Sequence, residues 1–86
     1  MFDLELSSQA EKSIARLHKR DRQLISRFYS AFDEIKANPF GAKSLSGELR
    51  GLRSYRVGNY RIIFEIDLAG SVINIITIKH RRDVYR

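Results

Sequence analysis

The chain is predicted to fold as an α+β domain in the order β-α-α-β-β-β. An N-terminal strand and a helical hairpin pack on one face of a mainly antiparallel four-stranded sheet. Three observations carry this reading. Two apolar stripes at helical spacing occupy the first half of the chain, β-branched runs occupy the second, and a Gly58-Asn59 pair separates two of those runs. Eighty-six residues are enough for one such domain, spanning 1–86.

Phe2, Leu4 and Leu6 alternate with Asp3 and Glu5, the pattern of a short strand with one buried face. Ser8 stands three residues before Glu11, a capping-box spacing that opens a helix. Ala10, Ile14 and Leu17 form its apolar stripe. Lys19-Arg20-Asp21-Arg22 is a polar break in which Asp21 caps a second helix. That helix carries Ile25, Phe28, Phe32 and Ile35 and stops near Asn38-Pro39, because the residue before a proline is pushed out of the helical region. Phe40 to Gly51, rich in glycine and serine, reads as loop. Leu52–Val57 then meets Tyr60–Ile66 across Gly58-Asn59, a two-residue hairpin turn by composition. A second turn over Asp67–Ser71 leads into Val72–His80, which holds Ile73, Ile75, Ile76 and Ile78.

The two-residue turn sets the register. Val57 is expected opposite Tyr60, and Arg56 opposite Arg61. Tyr60, Ile62, Phe64 and Ile66 then share the core face, while Arg56 and Arg61 point together to the other. Two arginines side by side repel unless an anion comes to them. Glu65 on the same face is the competing partner within the chain.

The net charge is +6, which favours nucleic acid or another polyanion as partner. From Arg50 onward every basic residue except Lys79 and His80 is arginine: Arg50, Arg53, Arg56, Arg61, Arg81, Arg82 and Arg86. There is no cysteine, hence no disulfide framework or thiolate metal site, and two histidines make a poor zinc site. No metal or other cofactor is expected. Met1 to Leu6 lacks the pattern of a signal peptide, and no apolar run is long enough to span a bilayer, so a cytoplasmic protein is expected.

The chain ends in His80-Arg81-Arg82-Asp83-Val84-Tyr85-Arg86. Arginine forks match phosphate oxygens, histidine as a residue type titrates nearest neutrality, and tyrosine stacks on bases or handles a proton. This segment, together with Tyr55-Arg56-Val57-Gly58-Asn59-Tyr60-Arg61-Ile62-Ile63-Phe64-Glu65-Ile66, resembles the RelE branch of the RelE/ParE superfamily of toxins from toxin–antitoxin pairs. The likeness covers nearly the whole chain, with the two motifs in the right order and spacing.

The resemblance implies a toxin that acts as a ribosome-dependent, metal-independent endoribonuclease. It would cut mRNA in the decoding site by attack of a ribose 2′-hydroxyl on the adjacent phosphate. It also implies an acidic, RelB-like cognate antitoxin, no membrane partner, and contact with DNA only through the antitoxin complex. Carried over by position, Arg61 contacts the scissile phosphate, Arg81 or Arg82 stabilises the leaving group, and Tyr85 stacks on a base or orients the 2′-hydroxyl. Arg56 matches a basic position on the same strand face. Arg53, Lys79 and Arg86 are further phosphate-binding candidates, and His80 is the proton carrier by residue type. Many relatives have a basic residue where Ser54 stands, and some have another at the position of Leu52. The general base is therefore open, and Arg53 between them is aimed by strict alternation at the opposite face. A gyrase-directed toxin of the ParE type and a non-catalytic or decayed RNA-binding toxin are the alternatives.

Overall fold

Two serine and aspartate caps start the helical layer. In the computed structural model, which describes residues 2–84, the strand β1 (Asp3–Leu6) runs into Ser7, whose side chain accepts from the Ala10 N–H and so caps α1 (Ser8–Arg20). The cap is thus Ser7 and not Ser8. Ser7 Oγ also donates to the Ile76 carbonyl at 2.6 Å, a tie to the sheet that Ser8, one residue further on, does not make. Asp21 caps α2 (Arg22–Ala37) by accepting from the Leu24 N–H at 3.0 Å, and α2 ends just before Asn38-Pro39, as the sequence predicts.

The sheet has five strands rather than four. The additional one, β2 (Lys43–Ser44), lies inside the segment read as loop. It is only two residues long and pairs antiparallel with β3 (Arg53–Val57). The central strands are β4 (Tyr60–Asp67) and β5 (Val72–His80), and the order across the sheet is β1-β5-β4-β3-β2. All neighbours are antiparallel except β1, which runs parallel to β5. The β3–β4 hairpin has the expected register, Val57 opposite Tyr60 and Arg56 opposite Arg61, with Gly58 at φ +57° in its turn. A short helix, α3 (Arg81–Val84), follows β5 directly.

Both helices lie on one face of the sheet. Phe28 and Ile35 from α2 meet Ile62, Phe64, Ile73 and Ile75 in the fully buried centre, with Ile14, Leu17, Ile25 and Phe32 around them. Among the described residues no helix is long and apolar enough to cross a membrane.

One irregularity decides which side chains reach the other face. Ile63 pairs with Thr77 and Phe64 with Ile75, so Ile76 has no partner of its own and forms a bulge in β5. Before the bulge, Ile73 and Ile75 face the core. Strict alternation would then send Thr77 and Lys79 inward as well. The extra residue reverses the phase, so Ile78 and His80 turn toward the helices, while Thr77 and Lys79 turn away. The bulged carbonyl of Ile76 is the one that Ser7 binds.

Candidate active site

The face away from the helices carries a row of cations. Cross-strand partners share a face, so the register sets Arg56 of β3, Arg61 of β4 and Lys79 of β5 side by side. Beyond the end of β5, the Arg81 N–H donates to the Asn59 carbonyl at 2.5 Å, which anchors the start of α3 to the hairpin turn. Arg56, Gly58, Asn59, Tyr60, Arg61 and Arg81 together line a cleft of about 140 Å³.

The arginines are held by neutral groups. Arg61 is half-buried and donates through Nη1 to Ser54 Oγ at 3.4 Å, while Ser54 itself is only 4% exposed. Arg56 Nε donates to the Gly58 carbonyl at 3.1 Å. Glu65 shares the face but accepts from Asn74 Nδ2 at 3.1 Å. The one ion pair among the described residues joins Lys36 to Asp33 on α2, away from this row. Adjacent like charges without a carboxylate are unfavourable by themselves. A phosphate in the cleft would relieve the repulsion and take charge-assisted bonds from the guanidinium forks. Donors fixed in advance at such a position also stabilise charge that develops on phosphate oxygens during displacement.

Of the sequence-predicted residues, Arg56, Arg61, Lys79 and Arg81 come together here. His80 does not. It pairs with Tyr60 across the strands on the helix side, its ring lying edge-on to that tyrosine at 4.9 Å. Its Nδ1 accepts the Arg82 N–H at 3.2 Å. The phase change at Ile76 is the reason, since it turns His80 inward as it turns Lys79 outward. Arg82 lines a different cleft, with His80, Arg16 and Arg20. Arg53 also lies on the helix side. It donates to the carbonyls of Ala42 at 2.9 Å and Phe40 at 3.3 Å, and its guanidinium sits over the Phe40 ring. Its donors therefore brace the chain around β2. Tyr85 and Arg86 lie outside the described residues.

Sequence reasoning treated Ser54 only as the absence of a basic residue. It is the hydroxyl that receives Arg61, and its neutral, small side chain at a position opposite Ile63 was the available signal. Lys43, opposite Ser54, belongs to the same face and was missed because β2 is too short to be read as a strand.

Comparison with known proteins agrees with this architecture. The family model for the ParE toxin of type II toxin–antitoxin systems matches residues 4–85. The chain is 29% identical over 86 residues to Toxin RelG of Mycobacterium tuberculosis, covering 99% of this chain and 97% of that relative. A chain in the crystal structure of the toxin–antitoxin complex RelBE2 from Mycobacterium tuberculosis superposes with a TM-score of 0.79 at 26% identity, over 93% of this chain and 98% of the other. The YoeB/ParE toxin from Agrobacterium tumefaciens reaches a TM-score of 0.83 at 15% identity, over 92% and 98%, a likeness of fold.

Proposed function

The chain belongs to the ParE toxin family of type II toxin–antitoxin systems, within the RelE/ParE superfamily, and from that premise we propose that it is a ribosome-dependent endoribonuclease that cleaves mRNA and so halts translation. The observation that carries this reading is the convergence of Arg56, Arg61 and Arg81 on one phosphate-sized cleft, with Lys79 beside Arg61 and no carboxylate paired to any of them among the described residues.

In the proposed reaction the ribose 2′-oxygen attacks the adjacent phosphorus and the bond to the 5′-oxygen breaks. The attacking hydroxyl loses its proton, the leaving oxygen gains one, and the products are a 2′,3′-cyclic phosphate and a 5′-hydroxyl. Arg61, braced by Ser54, holds a non-bridging oxygen as negative charge grows on the pentavalent phosphorane. Arg81, at the rim of the cleft, faces the departing oxygen. The Lys79 ammonium adds charge on the third strand. Guanidinium groups are poor bases, and the imidazole of His80 lies on the other side of the sheet. The cleft is thus armed for charge stabilisation. The decoding site supplies the in-line geometry of attacking oxygen, phosphorus and leaving oxygen, a contribution of about 7–11 kcal/mol in well-oriented systems.

The partner proposed for this chain in the cell is a RelB-like, acidic antitoxin that covers the cationic face; a toxin–antitoxin pairing is supported by the similar RelBE2 structure of Mycobacterium tuberculosis, itself a toxin–antitoxin complex. The competing reading is a ParE-type toxin directed at DNA gyrase, and the matching family model is the one for the ParE toxin. Two assays on the purified toxin separate them. Primer extension on translating ribosomes is expected to reveal cuts within codons at the ribosomal A site, with gyrase supercoiling unaffected. Inhibited supercoiling with intact mRNA would replace this reading with the gyrase one.

A further inference from the structure

Arg81 and Arg82 are consecutive, yet they line different clefts on opposite faces of the sheet. The rear cleft, about 220 Å³, brings Arg82 of α3 against Arg16 and Arg20 of α1, with His80 and Ser13 on its wall. Arg16 and Arg20 are one helical turn apart and exposed, and Leu17, Tyr60 and Ile78 complete the lining of the same cleft. Arg16 Nη2 donates to the largely buried Ser13 hydroxyl at 3.4 Å, which fixes the guanidinium at the cleft wall. No acidic residue lines this cleft, and none of the three arginines has an ion-pair partner among the described residues. The helix dipole accounts for a cation at the end of α1, hence for Arg20. It does not account for Arg82, which arrives from another element and converges on the same space.

We infer that the rear cleft is a second phosphodiester-binding site, which takes a further segment of a nucleic-acid backbone that passes around the Arg81-Arg82 corner from the front cleft. The inference rests on the reading that the front cleft takes nucleic acid, but it concerns affinity and needs no cleavage. Phosphodiester is favoured over a carboxylate-bearing peptide because the two clefts are joined at adjacent residues. A polymer with a phosphate at every step can occupy both at once.

The test is the salt dependence of binding to a 2′-O-methyl RNA oligonucleotide, which cannot be cut, followed by fluorescence anisotropy with the full-length toxin. Each phosphate contact on a single strand contributes about 0.7 to the slope of log K against log salt. Arg16→Gln with Arg20→Gln is expected to lower the slope by about 1.4, and Arg82→Gln by about 0.7. Arg22→Gln, at the start of α2 and outside both clefts, serves as the exposed-arginine control and is expected to leave the slope unchanged. Circular dichroism melts identify any variant that misfolds, and Arg20→Gln alone then replaces the double substitution. A slope equal to wild type in both the Arg16/Arg20 and Arg82 variants overturns the inference. So does an unchanged RNA slope accompanied by weakened binding of an acidic peptide, which would make the cleft a carboxylate site. Failure of mRNA cleavage with the slopes changed as expected would count against the catalytic reading and leave the rear site standing.

Discussion

The two faces of the β3–β4 hairpin share one backbone ladder and differ in everything else. On the helix side Val57, Ile62 and Phe64 are sealed among the side chains of α2 and β5. On the other side Ser54, Arg56 and Arg61 hold cations against cations with only neutral oxygens to steady them. Apolar burial, at about 25 cal/mol per Å², stabilises the first face. The second also buries Ile63, but its cations lose something to repulsion. Stability and ligand chemistry are therefore written on opposite sides of the same residues, and substitutions should separate them.

The largest effect is expected at the buried centre of the helix-side face. Phe64→Ala empties it and is expected to lower stability by about 3–5 kcal/mol, read from urea midpoints. Ser7→Ala removes both the α1 cap and the bond to the bulged Ile76 carbonyl, for about 1–2 kcal/mol in the same assay. Smallest is Arg56→Gln, on the cationic face. Its stability change is expected within about 0.5 kcal/mol, and a larger loss would show that this face also holds the fold together.

The residues differ in how plainly they announce these roles. The helix stripes, the Asp21 cap and the hairpin register were legible, because each rests on a local rule: spacing, a capping oxygen, a two-residue turn. The adjacency of Arg56 and Arg61 followed from that register alone. Ile76 was not legible as a bulge. In Ile75-Ile76 either isoleucine suits either face, so sequence does not say where the alternation slips. Everything downstream inherited that ambiguity. His80 was chemically suited to proton transfer, but its side of the sheet depends on a phase change three to four residues earlier. Arg81 and Arg82 were indistinguishable by residue type, and the onset of α3 is what sends them to different clefts. Arg53 offered the same fork as its neighbours, and alternation already aimed it away from them. Its use by the Phe40 and Ala42 carbonyls depends on a two-residue strand below the reach of pattern reading.

The central claim is that the cationic face does the chemistry and the helix-side face carries the stability. Arg61→Ala tests it most directly, with cleavage on translating ribosomes and thermal unfolding measured on the same preparation. The account predicts a fall in cleavage rate of about 10²–10³, as for removal of one preorganised donor, with the melting transition unmoved. Cleavage at the wild-type rate, or a loss of activity matched by a loss of folded protein, would contradict it.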